Sequence, residues 1–252
     1  MNRKVVFFVL VAVCFWIGFC YADSQYSYHI VNVIPEPASG AVSISSIGKN
    51  SQPGNQYLAP VDVDVHEVVL TAGTITPSNI APSGMNLVEY KVTDPALAEL
   101  SHAFSHSFTV DVVIMPGYGR NAFVMIKERN VDNAYKVTLD AANRKIKVEQ
   151  IKNGVLYMSY ERPYPVKLYT VYQVKLNFGY ESSGGSAGNR VTIREKIISG
   201  LGTRETWNTV LDNKFYTLGL EQLTSWSVNR FFVGSVYSNA KFTNEQFYLI
   251  ER

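Results

Sequence analysis

Between residues 108 and 178 apolar and polar side chains take turns along the chain. Phe108, Val110, Val112 and Ile114 fall on one face and Thr109 and Asp111 on the other, the period of two that a half-buried strand requires. Tyr135, Val137 and Leu139 alternate with Lys136, Thr138 and Asp140. Ile146 and Val148 alternate with Lys145, Lys147 and Glu149, and Tyr172, Val174, Leu176 and Phe178 with Gln173, Lys175 and Asn177. One buried and one wet face per strand is the mark of antiparallel sheets. The expected fold class is all-β: an antiparallel jelly-roll sandwich with one short helix.

Other stretches extend the pattern. Residues 61–70 alternate valines with Asp62, Asp64 and His66, and strands are predicted again at 86–92, 190–198, 215–220, 230–237 and 246–250. The helix signal is Asp94-Pro95-Ala96-Leu97-Ala98-Glu99-Leu100, with Asp94 as cap and Pro95 at the first helical position. Asn153-Gly154 predicts a tight hairpin, because both central residues of that turn need positive φ. Residues 140–144 predict a second turn. Keeping apolar faces together then pairs Val137 with Ile146 and Tyr135 with Val148, since a slip of one residue would mix the faces.

Residues 1–22 look like a secretion signal: Arg3 and Lys4 start it, residues 5–20 are apolar apart from glycine, and small residues precede Asp23. The apolar run is short for a membrane anchor, so a secreted, extracellular protein with no stable membrane anchor after cleavage is expected. Residues 23–60, rich in Ser, Gly, Pro and Asn, are expected to be a loosely ordered arm, with a short edge strand at 42–47. Residues 61–252 are expected to form one sandwich domain.

Cleavage alters the composition. Of 23 basic residues Arg3 and Lys4 are lost, leaving 21 against 21 acidic ones, and a neutral chain is a poor match for nucleic acid. Cys14 and Cys20 also lie in the signal. The mature chain therefore offers no disulfide and no thiol nucleophile, and its stability must come from an apolar core.

The order of features resembles the laminin-G and thrombospondin N-terminal type of concanavalin-A-like sandwich. The residues that carry the likeness are Ser105-His106-Ser107-Phe108-Thr109-Val110, the strand at 122–126, the pair at 134–148, Val171-Tyr172-Gln173-Val174-Lys175-Leu176, and Arg230-Phe231-Phe232-Val233-Gly234-Ser235. It covers residues 85–252 and implies the fold. Such sandwiches host unrelated activities.

The candidate chemistry is sparse. His102 and His106 would share one side of a helix as metal ligands, but no third ligand has matching spacing. Asp62, Asp64 and His66 share a face that strand alternation already explains. Gly184-Gly185-Ser186-Ala187-Gly188 has the Gly-x-Ser-x-Gly spacing but lies in a Gly- and Ser-rich stretch with no helix pattern after it, so it is not a nucleophile elbow. The clustered carboxylates of a sandwich glycanase are missing. No cofactor is implied, although loop calcium is compatible with this fold type, with Asp132, Asp140 and Asp212 as candidates. An acidic residue in a turn otherwise serves the turn.

The one constellation that pairing builds is a basic and aromatic patch. The predicted register sets Lys136 opposite Lys147 and Thr138 opposite Lys145, and a two-residue turn at Asn153-Gly154 adds Tyr160 and Arg162 beside Lys147 and Lys145. Like charges across a ladder are mildly unfavourable, so the patch is either a solvated face whose lysines resist self-association or a grip for an anionic polysaccharide. Ile151, Leu156 and Met158 are predicted on the same outer face, needing cover by the arm or a partner. The sequence favours a non-enzymatic binder of glycan or an extracellular protein. A carbohydrate-active hydrolase or lyase, or a self-assembling structural protein, are its competitors.

Overall fold

The computed structural model describes residues 27–30, 33–52, 61–71, 85–92, 103–128, 132–179, 189–199, 204–220 and 228–251. Within them run β1 (Ser27–Ile30), β2 (Val33–Ser39), β3 (Ala41–Gln52), β4 (Val61–Thr71), β5 (Met85–Val92), β6 (Ala103–Ile114), β7 (Asn121–Glu128) and β8 (Ala134–Asp140). They are followed by β9 (Lys145–Lys152), β10 (Val155–Pro163), β11 (Val171–Gly179), β12 (Arg190–Ser199), β13 (Arg204–Lys214), β14 (Val228–Val236) and β15 (Ala240–Glu251). One sheet has the order β13-β12-β11-β6-β15-β4-β3, with β1 pairing β15, and the other the order β10-β9-β8-β7-β14-β5-β2. We call them the first and second sheets. All their pairings are antiparallel, and their apolar faces meet in one core, which makes the fold a β-sandwich.

That core is where the alternation pointed. Phe108 and Phe247 from the first sheet stack at 4.6 Å, and Tyr90 and Phe231 from the second meet them edge-on or tilted at 5.1 to 5.6 Å. Farther along, Tyr135 stacks on Phe215 at 4.4 Å. Burying rings of this size contributes about 1.5–3 kcal/mol each, and these contacts join one sheet to the other.

Several expectations change. Within the expected loose arm, residues 33–52 are edge strands: β2 closes the second sheet and β3 the first. Pro35 and Pro37, which suggest a turn, sit in β2 because an edge strand needs hydrogen bonds on one side only. Residues 215–220 are not a strand. Residues 215–218 form a 3-10 turn that buries Phe215 and Leu218, three apart, and ends on Gly219 at φ 75°. The predicted helix at 94–100 and His102 lie outside the described residues, as does the segment 1–22. His106 is in β6, so a helical spacing to His102 does not hold. Among the described residues no helix is long and apolar enough to cross a membrane.

The register of the β8–β9 hairpin also differs. Val137 pairs with Val148, Leu139 with Ile146 and Asp140 with Lys145, a displacement of two residues from the predicted pairing. The four-residue turn 141–144 sets it, held by Asp140, whose carboxylate accepts from the Asn143 backbone and side-chain amides at 2.9 and 2.8 Å. A slip of two leaves each side chain on its face, so the buried pattern cannot reveal it.

Candidate functional site

The outer face of the second sheet carries the predicted patch, and the structure divides it. Lys136 faces Glu149 rather than Lys147, with its ammonium 3.9 Å from that carboxylate and 4.6 Å above the Phe123 ring. The Asn153-Gly154 turn forms as expected, with φ of 50° and 77°, but β10 shifts register by one residue between Leu156 and Met158. This bulge turns every later residue over. Glu161 therefore lies beside Lys147 on the outside, 2.8 Å from Lys145 and 3.4 Å from Lys147. Tyr160 and Met158 pack against the core. Arg162 reaches across to the first sheet, donating from Nη1 to the Val210 carbonyl at 2.6 Å. The constellation of Lys136, Lys145, Lys147, Tyr160 and Arg162 is thus corrected: its lysines stay outside beside carboxylates, its ring turns inward, and Arg162, though exposed, is tied to the first sheet instead. Ile151 and Leu156 do face each other outside, and Leu156 is exposed.

The rest of that face is closed. Phe123 and Phe232 are buried there, the Phe123 ring lying across Gly234, where an added Cβ would come within 2.2 Å of it. Arg230 covers Phe232 and grips Glu89 through two hydrogen bonds at 2.7 and 3.1 Å. The calcium candidates are also separated. Asp132 pairs with Lys127, Asp140 serves its turn, and Asp212 holds Arg190 and Thr192. Among the described residues no group of three or more His, Asp or Glu is placed to hold a metal ion.

The outer face of the first sheet is built differently. A cleft of about 350 Å³ opens there, lined by Ile47, Gly48, Lys49, Val65, Asp111, Gln173, Asn244 and Gln246. These residues come from β3 on one side and β11 on the other, with β4, β15 and β6 between, so the face curls over a shared hollow. Two bulges shape it. β3 gains a residue at Ile47, between Ser46 and Gly48. β15 shifts by one between Thr243 and Gln246, which puts Asn244, at φ 55°, out over the cleft and turns Glu245 inward to accept from the His66 backbone amide at 2.7 Å.

Asp111 is the centre of the hollow. It is 8% exposed, in the middle of a sheet where a carboxylate is expensive to desolvate. Its Oδ2 accepts from Asn244 Nδ2 at 2.8 Å and its Oδ1, at a weak 3.5 Å, from Gln173 Nε2. Burial holds its pKa above the ordinary carboxylate value despite those two amides and the nearby Lys196. Tyr248 donates to Gln246 Oε1 at 3.2 Å, which directs the other end of that amide elsewhere. Val65 supplies a buried apolar lining. The result is one carboxylate, three primary amides and the exposed Lys49 ammonium around an apolar patch, groups that take part in directed hydrogen bonds to hydroxyls. Asp111 is the one carboxylate among these lining residues, so an acid and base pair for glycoside hydrolysis is not assembled by them.

Sequence reasoning placed Asp111, Gln173 and Gln246 in strands but did not single them out. A signal was present in Asp111 and Gln173, polar side chains facing outward from adjacent central strands. Asn244 gave none, because the bulge that aims it is not encoded in a period.

No family model matches the chain, and no curated protein matches it. Solved structures similar in shape include the carbohydrate binding module CBM66 from Bacillus subtilis, at 14% identity and a TM-score of 0.47, over 87% of this chain and 96% of that one. Lectin II from Ulex europaeus is 10% identical with a TM-score of 0.40, over 92% of this chain and 100% of the other. The galectin LEC-6 from Caenorhabditis elegans is 7% identical with a TM-score of 0.38, over 58% of this chain and 85% of its own.

Proposed function

We propose that this protein is a secreted, non-enzymatic glycan-binding module whose site is the hollow over Asp111, and that its ligand is a neutral saccharide. The observation that carries the reading is the near-buried Asp111 carboxylate, flanked by the Gln173 and Asn244 amides and opening into a 350 Å³ cleft. A carboxylate accepts strongly from sugar hydroxyls and repels sulfate or uronate groups. Lys49 balances that charge in the same lining, which leaves no net positive charge to draw an anion, so an uncharged glycan is favoured over the anionic one that the lysine patch suggested. Ile47, 50% exposed in the cleft lining, offers an apolar surface to the C–H side of a ring. Secretion is part of the proposal through the apolar segment at residues 5–20, and a laminin-G type of strand order through the succession of β6, β7, β8, β9, β11 and β14.

Affinity electrophoresis through gels containing xylan, mannan, β-glucan, galactan or heparin tests it. The expected result is retention by at least one neutral polysaccharide, lost in Asp111→Ala and unchanged in Lys147→Ala. Retention by heparin alone, or equal retention of wild type and Asp111→Ala, would overturn it.

A further inference from the structure

The polar row that begins at Asp111 does not stop at the cleft. Asp111 faces Gln173 on β11, Gln173 faces Arg194 on β12, and Arg194 faces Thr209 on β13. One outward position farther along β13, opposite Lys196, is Trp207. Lys196 is occupied by Glu205 at 2.8 Å, and the indole remains 41% exposed.

Trp207 faces this way because of a third bulge. Leu211 pairs with Ile193 and Thr209 with Arg194, so Val210 is an extra residue, and both Val210 and Leu211 are buried. Without that extra residue Trp207 would share the face of Leu211 and point toward the core side. With it, Trp207 joins Asp111 and Gln173 on the outer face. Bulges characteristically re-aim a side chain in this manner, and here those of β3, β13 and β15 all act on one surface.

We infer that Trp207 is a distal sugar-stacking subsite, so that the protein recognises an internal stretch of a linear glycan rather than a single terminal unit. The inference rests on the glycan reading of the Asp111 cleft and extends it. From β6 to β13 is three strand spacings, about 14 Å, with one outward position along the strand adding about 7 Å. These combine to a separation of about 16 Å, and each ring of a linear chain advances by roughly one strand spacing, about 5 Å. Three advances are needed, so a ligand seated at Asp111 touches Trp207 only when it is a tetrasaccharide or longer. Between them Gln173 and the exposed Arg194 offer hydrogen bonds to hydroxyls. The indole offers a flat apolar face to a ring, with no charge requirement.

Calorimetric titration with linear cello-, xylo-, manno- and laminari-oligosaccharides of one to six units tests this in wild type, Trp207→Ala, Trp207→Phe and Asp111→Ala. For the series that binds, affinity is expected to rise about tenfold between two and five units. Trp207→Ala should remove that rise without altering the short ligands, Trp207→Phe should keep most of it, and Asp111→Ala should weaken every length. Indole emission should shift with the long ligands only, and the shift should disappear in Trp207→Ala. Affinity that does not depend on length, or a gain with length that survives Trp207→Ala, overturns the distal subsite while leaving the cleft intact. Failure of wild type to bind any oligosaccharide in these series, together with no retention by a neutral polysaccharide in the gels, overturns both.

Discussion

The two outer faces of the sandwich are made from the same kinds of strand and reach opposite outcomes. On the second sheet, buried Phe123 and Phe232 lie beneath Lys136 and Arg230, and Lys136, Lys145, Lys147 and Arg230 each have a carboxylate within 4 Å. Over the middle of that face apolar surface is covered and charge is neutralised, and exposed apolar side chains such as Leu156 lie at its β10 edge. On the first sheet a carboxylate that is costly to bury has, among the described residues, two amide partners and Lys196 nearby, in a curled hollow. A protein gains nothing in stability from that arrangement, and unpaired capacity of this kind is where binding is to be looked for.

The largest expected effect tests that contrast directly. Asp111→Ala removes charge-assisted hydrogen bonds of about 1.5–3 kcal/mol, and glycan affinity should fall by a factor of roughly ten to a hundred. Lys136→Ala and Lys147→Ala should leave it unchanged. A comparable loss in the lysine variants would merge the two faces into one site. Next is Gly234→Ala, whose Cβ collides with the Phe123 ring. Overpacking there should cost about 1–3 kcal/mol in chemical denaturation, without changing affinity in the fraction that remains folded. A neutral result would mean that the second face is not closed.

Acid titration follows. Burial raises the Asp111 pKa, so affinity should hold at neutral pH and drop as pH falls through a value above 3.8, the ordinary one for this carboxyl; Asp111→Asn should remove this dependence. Stability carries the opposite sign. The folded state takes up the proton more readily than the unfolded one, so Asp111 adds stability as pH falls from above its raised pKa toward the ordinary value. Comparing thermal midpoints of wild type and Asp111→Asn across that window checks it. The smallest effect is expected from Glu161→Gln, which releases Lys145 and Lys147. Thermal stability should not change measurably, because exposed ion pairs are screened by solvent, whereas retention by heparin at low salt should increase.

How far the sequence could be read depends on which signal each element carries. Strands with one buried face, such as those around Val110, Val137 and Val174, declare themselves through alternation. β13 does not, because as an edge strand it exposes both faces over most of its length and its phase changes at Val210. Alternation also fixes pairing only to within two residues, so it located Lys136 on the correct face opposite the wrong partner. The bulges hide the most. A single extra residue near Tyr157 moved Tyr160 inward and tied Arg162 to the first sheet, and others brought Asn244 and Trp207 outward. Each is one residue long and is specified by packing on both sides of the sheet rather than by local composition.

The central claim is that ligand is held on the curled face of the first sheet. Nuclear magnetic resonance of nitrogen-labelled protein, titrated with whichever of the xylo-, manno-, cello- or laminari-hexasaccharides binds, reads this from the backbone and side-chain amide signals. The account predicts that Gln173, Asn244 and Gln246 move and that the signals of Lys136, Lys147 and Glu161 stay fixed. Movement confined to that second group would contradict it.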